Sequence, residues 1–103
     1  MLIKCSDFAD KFNTCTSEKC LIDVRNSDET SQGILAKAIH IPLPELAGKY
    51  SEIPVRKNIF IYCRSGKRAA AAAEFLEKNG FSNIFVSADG GFDQLKNIIE
   101  VAK

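Results

Sequence analysis

The sequence predicts an open α/β sheet of parallel strands, and two kinds of segment carry this prediction. Three short apolar runs, Cys20–Val24, Asn58–Tyr62 and Asn83–Val86, are rich in branched and aromatic residues without strict polar alternation, as in strands buried on both faces. Helical patterns follow the last two runs, at Lys67–Asn79 and Phe92–Val101. Strands that alternate with helices favour parallel pairing through right-handed crossovers, so the sheet is expected to be parallel.

The first elements of the chain form a further predicted strand and helix. Leu2–Lys4 is short and partly apolar, as expected of a strand. A helix is predicted to start at Ser6 or Asp7, because both are good capping residues and Phe8 and Phe12 lie one turn apart behind them. This pair adds one more strand to the predicted sheet.

The polar stretch 26–57 is the one long irregular segment of the sequence. It contains Pro42, Pro44 and Pro54, and it is predicted to hold short helices and an edge strand. The helix Lys67–Asn79 is rich in alanine and is followed by Gly80, a residue favoured just after a helix.

The last predicted helix, Phe92–Val101, is supported by helical spacing of its apolar residues. These residues are Phe92, Leu95, Ile98 and Ile99.

Length and composition limit the function. With 103 residues the chain is long enough for one domain with a core, and residues 1–103 are interpreted as a single domain. A formal net charge of +1 gives no reason to expect a nucleic acid or an anionic membrane as partner. The first residues carry charges and no long apolar stretch, so a cytoplasmic protein is expected.

The four cysteines are expected to be reduced thiols, because a chain of this length does not need a disulfide framework. With one histidine and no Cys-x-x-C pair, the sequence contains no zinc pattern, and neither a metal ion nor another cofactor is predicted. Cys5, Cys15 and Cys20 have no basic cluster beside them and are interpreted as packing residues. His40, inside a predicted strand, is given a structural or exposed role.

Cys63 differs from the other three cysteines because it lies where a predicted strand ends and a helix begins. In an open α/β sheet, ligands bind at the carboxyl ends of the strands. Gly66 allows the chain to curl, so that loop N–H groups and the helix N-terminus converge on one point. These amides and the nearby cations Arg64, Lys67 and Arg68 should stabilise a thiolate. Cys63 is therefore the predicted nucleophile.

Several segments of the sequence resemble the rhodanese (sulfurtransferase) family. "CRSGKRA" at Cys63–Ala69 resembles the family's active-site loop, and "LIDVR" at Leu21–Arg25 resembles the strand and arginine of its central motif. Three further matches follow the family's order: Glu29 with Gly33 in "ETSQG", "AIHIPL" at Ala38–Leu43 and "GGFDQL" at Gly90–Leu95. The resemblance implies a rhodanese-like open parallel sheet of about five strands with helices on both faces.

The resemblance also implies a reaction. The catalytic Cys63 would take the sulfane sulfur of thiosulfate or a similar donor, carry it as a persulfide, and pass it to cyanide, a thiol or a protein acceptor. Loop residues Arg64, Ser65, Gly66, Lys67 and Arg68 would bind the donor and the outer sulfur. Asp23 and Arg25 are expected to support the loops by ion pairing rather than by chemistry.

Two segments depart from the family pattern. Gly33–Ala38 lacks the usual His and Pro-Gly turn, so the match to the family is weaker after Gly33. Ala69 stands where many relatives have Ser or Thr, and this second departure is expected to alter substrate affinity rather than abolish the chemistry. Two alternatives remain: a cysteine phosphatase or arsenate reductase, and a non-catalytic rhodanese module acting as a sulfur carrier or regulatory binding domain. The phosphatase loop is Cys-x5-Arg, whereas Cys63 to Arg68 is Cys-x4-Arg, and Tyr62 stands where phosphatases have histidine.

Overall fold

A computed structural model of the protein describes residues 1–102, and within them five strands form one sheet. The strands are β1 (Leu2–Ile3), β2 (Lys19–Asp23), β3 (Ala38–His40), β4 (Asn58–Tyr62) and β5 (Ile84–Ser87). The α-helices are α1 (Cys5–Thr14), α2 (Ser27–Thr30), α3 (Leu46–Lys49), α4 (Lys67–Lys78) and α5 (Phe92–Leu95), with 3₁₀ turns at Leu43–Glu45 and Tyr50–Glu52. No helix in the described part of the chain is both long and apolar enough to cross a bilayer.

The sheet has the order β1-β5-β4-β2-β3, and every pairing in it is parallel. The predicted fold class, an open parallel sheet of about five strands, is confirmed. β4 is the central strand and pairs with β2 over its full length, from Asn58 opposite Lys19 to Tyr62 opposite Asp23. The edge strand predicted within residues 26–57 is also present, as β3.

The core is divided between the two faces of the sheet. Successive residues of β4 point to opposite faces, as the pleat requires. Ile59 and Ile61 pack with the α4 side, whereas Phe60 and Tyr62 pack with α1 and α5, and all four are at most 1% exposed. Helices on both faces are thus confirmed, and each buried side chain of this size contributes about 1.5–3 kcal/mol.

Two residues with a positive φ lie between the end of α4 and the start of β5. Gly80 follows α4 with a φ of 92°, a conformation that glycine adopts without the strain a side chain would add. Asn83 has a φ of 57°, so it cannot begin the strand as predicted, and β5 starts one residue later.

The prediction of a helix over Phe92–Val101 was wrong beyond its first turn. The helix ends at Leu95, and the chain continues in turns with Ile98 exposed. The end of the chain pairs instead with the segment before β3: the amide of Ala36 donates to the Glu100 carbonyl at 2.7 Å, and Ala102 to Ile34 at 2.8 Å. These tertiary hydrogen bonds replace those that a longer helix would make.

Candidate active site

The candidate site lies at the carboxyl edge of the sheet, where the predicted nucleophile follows β4. Because the strands are parallel, the residues after β2, β4 and β5 meet at this edge. They bring together the Asp23–Arg25 segment, the 63–68 loop and the turn from Ala88 to Gly91. The site is therefore built from three connections that are distant in sequence.

The Cys63 thiol lies inside the curl of the 63–68 loop. The backbone N–H of Gly66 donates to Cys63 Sγ at 3.0 Å, and that of Ala69 does so at 3.4 Å. Both amides belong to the start of α4, whose first N–H groups have no partner within the helix. Two amides and the N-terminus of a twelve-residue helix thus face the sulfur, an arrangement that favours a negative charge there.

Close backbone contacts hold this loop against the turn after β5. Gly66 has a φ of 103°, and a Cβ at this position would overlap the carbonyl of Ala88. A Cβ on Gly91 would overlap the carbonyl of Cys63. The next amide, that of Phe92, donates to the same carbonyl at 3.0 Å. Glycine at both positions is what allows the two backbones to touch.

Arg68 is engaged by Glu29 rather than left free for a ligand. Its two terminal nitrogens donate to the two Glu29 carboxylate oxygens at 2.6 and 3.0 Å, a bidentate pair. The hydrogen bond from Arg68 lowers the pKa of Glu29 to about 2, and the same bond raises the pKa of Arg68. The pair joins α2 to the first turn of α4 and so fixes the loop from outside.

This ion pair predicts a specific pH dependence of stability. Because the pKa of Glu29 is depressed in the folded state, its contribution is complete above pH 4.5 and is lost as the pH falls toward 2. With partial exposure, that contribution should be about 1–3 kcal/mol. Urea unfolding from pH 5 to pH 2 should therefore show a steeper loss of stability for the wild type than for Glu29→Gln.

The matched control for this series is Glu45→Gln, which removes an exposed Lys49–Glu45 pair with a separation of 2.9 Å. Exposed i,i+4 pairs contribute only about 0.3–0.5 kcal/mol, so Glu45→Gln should follow the wild-type curve. Parallel curves for the wild type and Glu29→Gln would show that the Glu29–Arg68 pair does not stabilise the fold.

Asp23 and Arg25 form a second, buried ion pair beside the loop. Arg25 Nη2 donates to Asp23 Oδ2 at 2.9 Å and to the Gly33 carbonyl at 2.7 Å, while its guanidinium lies 4.3 Å from the centre of the Phe92 ring. His40 Nε2 donates to the Arg25 carbonyl at 2.7 Å. Arg25 therefore links β2 to the segment containing Gly33 and to α5, and none of these contacts involves Cys63.

The remaining predicted site residues lie on the outside of the loop. Arg64, Ser65 and Lys67 are exposed, and neither Arg64 nor Lys67 has a salt-bridge partner within residues 1–102. Arg64 borders an open cavity of about 310 Å³ beside the loop. Other residues that line this cavity are Arg25, Glu29, Gln32, Phe92, Asp93 and Lys96.

The other three cysteines lie outside the 63–68 loop and are free thiols, as is Cys63. Burial raises the pKa of Cys5 and of Cys20, which keeps both protonated near neutral pH. Cys15 is half-buried, and its thiol lies 3.5 Å from the Ser17 carbonyl. None of these cysteines is held by the amides of a helix N-terminus as Cys63 is.

Sequence reasoning missed two contributors to the site. The sequence pattern assigns Glu29 only a spacing from Gly33, although a carboxylate six residues after Asp23 is available as a partner for a loop arginine. The Gly90–Gly91 doublet predicts a turn, and glycine also permits the close backbone approach that the structure shows at Gly91. The contact of Gly91 with Cys63 depends on two distant segments and required the tertiary structure.

Comparison with known proteins identifies the family. The model of the family described as "Rhodanese-like domain" matches residues 5–98. The chain belongs to the rhodanese-like family. This rhodanese-like domain is 33% identical over 69 residues to a sulfurtransferase of Allochromatium vinosum, in a match covering 67% of the chain and 64% of that protein. It is 32% identical over 74 residues to a putative sulfurtransferase of Bacillus subtilis, covering 72% and 70%.

Solved structures agree with this assignment. A rhodanese-related protein from Thermoplasma volcanium superimposes with a TM-score of 0.77 at 29% identity, over 97% of this chain and 95% of that one. A rhodanese-like domain protein from Staphylococcus aureus has a TM-score of 0.80 at 23% identity, over 99% and 98%, and shows the same fold. The sulfurtransferase relatives support a role in sulfur transfer for this rhodanese-like domain.

Proposed function

We propose that the protein is a sulfurtransferase that moves sulfane sulfur from thiosulfate or a similar donor to a thiophilic acceptor through a persulfide on Cys63. The observation that carries the proposal is the position of Cys63 Sγ, 3.0 Å from the Gly66 amide and 3.4 Å from the Ala69 amide. Amides aimed at one sulfur stabilise negative charge there, which a nucleophilic thiolate requires.

The reaction divides into two steps that share the Cys63 sulfur. In the first, the thiolate attacks the outer sulfur of thiosulfate; a new sulfur–sulfur bond forms on Cys63, and the old one breaks as sulfite leaves with its electron pair. In the second, cyanide, a thiol or a protein thiolate attacks the outer sulfur and restores the Cys63 thiolate. Cys63 is 0% exposed, so the chain around it must move to admit the donor.

The cations near the loop have different proposed roles. Arg64 and Lys67 are exposed and unpaired in the described structure, so they attract the anionic donor. Arg68 adds positive charge near the thiolate while its hydrogen bonds to Glu29 hold the loop. Asp23 and Arg25 position the loops that surround the site and do not take part in bond changes.

If Arg64 attracts the donor, Arg64→Ala should raise the KM for thiosulfate severalfold with a smaller change in kcat. Electrostatic attraction of a dianion acts on its arrival more than on the later bond changes. Raising ionic strength should raise the wild-type KM in the same way, and Arg64→Ala should respond less. Steady-state kinetics at a series of salt concentrations provide the measurement.

The control for Arg64→Ala is Arg56→Ala, which removes one exposed arginine at the opposite edge of the sheet, before β4. It changes the net charge equally and should leave KM near the wild-type value. A KM that is insensitive both to salt and to Arg64→Ala would exclude Arg64 from donor binding.

One set of parallel assays distinguishes this proposal from the phosphatase and non-catalytic alternatives. The protein is incubated with thiosulfate, and sulfite release, persulfide mass and hydrolysis of a phosphate ester are measured in parallel. We expect stoichiometric sulfite, a mass increase of one sulfur and turnover when cyanide is added. Phosphate release without persulfide would establish the phosphatase. If neither phosphate release nor persulfide is detected, the protein is a non-catalytic binding module.

The donor and acceptor in the cell follow from this chemistry only as classes. The donor is thiosulfate or another sulfane-sulfur compound, and the acceptor is a low-molecular-weight thiol or a protein thiol. We also propose a cytoplasmic location, which the four free cysteines support, since disulfides are rare in the reducing cytosol. The match to the Allochromatium sulfurtransferase covers 64% of that protein's length. These assignments therefore concern the chemistry of the rhodanese-like domain.

A further inference from the structure

A second surface of distinct chemistry lies near the amino ends of the strands, opposite the candidate active site. We call it the lysine surface. Three lysines, Lys19, Lys37 and Lys57, border a cavity of about 150 Å³ near the amino ends of β2, β3 and β4. Its apolar wall contains Phe12, Leu21, Ile39 and Pro54. The cavity is therefore apolar inside and positively charged around its rim.

The positive charge of this surface is not neutralised within the described structure. None of the three lysines forms a salt bridge among residues 1–102. Lys19 Nζ donates to the Phe12 carbonyl and lies 4.1 Å from the centre of the Phe12 ring, which keeps it directed at the cavity wall. In the part of the chain that the structure describes, no carboxylate lines the 150 Å³ cavity, so its charge is complementary to an anion.

The surface extends beyond this cavity. A neighbouring cavity of about 140 Å³ shares Phe12, Lys19 and Lys37 with the first, and Glu100 is the one carboxylate among residues 1–102 that borders it. Ile39 is 44% exposed and lies on β3, the edge strand of the sheet that the described residues form. Two adjoining cavities and an exposed edge residue make a footprint longer than a small molecule needs.

We propose that the lysine surface is a docking site for an acidic, extended protein segment that places apolar side chains in the two cavities. The lysines supply the charge complementary to Asp and Glu of the partner, and this complementarity governs both encounter and orientation. Residues two apart in an extended segment point to the same side at a separation of about 6.8 Å, so adjoining cavities can receive them.

This site is separate from the sulfur chemistry. Lys57 precedes β4 and Cys63 follows it, and six residues of extended chain span about 20 Å. A partner bound through the lysine surface thus leaves the 63–68 loop open to donor and acceptor. The proposal makes this surface a means of holding a partner protein near the domain, and it is independent of the proposed sulfurtransferase activity.

The test uses a fluorescein-labelled peptide, Gly-Asp-Glu-Leu-Glu-Leu-Asp-Glu-Gly, with fluorescence anisotropy and amide chemical shifts of the full chain. We expect saturable binding, with shift changes at residues 19–21, 36–39 and 55–57 and none at residues 63–69. The double variant Lys37→Glu with Lys57→Glu should bind at least about tenfold more weakly, because attraction becomes repulsion at both lysines. Its sulfite release from thiosulfate should equal that of the wild type.

The matched control is Lys4→Glu with Lys78→Glu, which changes the net charge equally at exposed positions outside both cavities. It should keep the wild-type affinity within about twofold, since distant surface charges are screened. A peptide with serine at both leucines should bind much more weakly. Equal losses in both double variants, shift changes at the 63–68 loop, or hexanoate reproducing the peptide's effect would each overturn the proposal.

Discussion

Cys63→Ser is expected to abolish sulfur transfer from thiosulfate, with a loss of at least about a thousandfold in kcat. A serine hydroxyl is hard to ionise near neutral pH, and its oxygen cannot carry sulfane sulfur as a persulfide does. The replacement is nearly isosteric, and the Gly66 and Ala69 amides keep an acceptor in the same place. Sulfite release and intact-protein mass after thiosulfate treatment measure the effect.

The matched control replaces the other three cysteines together, with alanine at the buried Cys5 and Cys20 and serine at Cys15. Burial raises the pKa of Cys5 and Cys20, so neither thiol is prepared for nucleophilic attack. Turnover of this variant should stay within about threefold of the wild type. Thermal unfolding shows whether a lower rate has a structural cause.

Peptide mapping distinguishes a one-cysteine mechanism from one with a resolving cysteine. After thiosulfate treatment, the added sulfur should be found only on the fragment that contains Cys63. A Cys63–Cys20 disulfide formed during turnover would contradict this mechanism. So would a triple variant that forms the persulfide once and then stops, because a second thiol would then be needed to release the sulfur.

The strands could be predicted because their signal is local. β4 was predicted with its observed bounds, since "NIFIY" is buried on both faces and has no competing helical pattern. The final helix could not be predicted correctly, because the backbone of residues 100–102 bonds to residues 34–36 and these contacts override the helical spacing. The start of β5 depended on the left-handed Asn83, a conformation that the sequence does not specify.

The site was predictable to the extent that it lies within one segment. Cys63, Gly66 and the following helix are contiguous, so their convergence follows from the chain path alone. Arg68 was expected to bind the donor, but the structure places both of its terminal nitrogens on Glu29, 39 residues away. A loop residue's partner from another element cannot be read from spacing, and here it changes the proposed role from ligand binding to positioning.

Gly66→Ala is expected to have the second largest effect, because it affects the fold and the chemistry at the same residue. A left-handed φ of 103° is strained for alanine, at about 1–2 kcal/mol. The added Cβ would also overlap the Ala88 carbonyl, and because this is backbone the loop must shift. Overpacking of this kind costs about 1–3 kcal/mol more. The shift moves an amide away from Cys63 Sγ, so kcat should fall about a hundredfold.

Gly80→Ala separates the two contributions. Gly80 also has a positive φ, at 92°, but nothing lies within 4 Å of its added Cβ, and it follows α4 at the end remote from Cys63. Gly80→Ala should therefore lose about 1–2 kcal/mol of stability, from backbone strain alone, and keep the wild-type kcat. Urea unfolding and thiosulfate turnover of both variants provide the comparison.

If Gly66→Ala matched Gly80→Ala in stability and in kcat, neither the contact with Ala88 nor the Gly66 amide would matter to the reaction. A larger loss of kcat for Gly66→Ala at a temperature where both variants are folded would tie catalysis to the amide that faces the thiol.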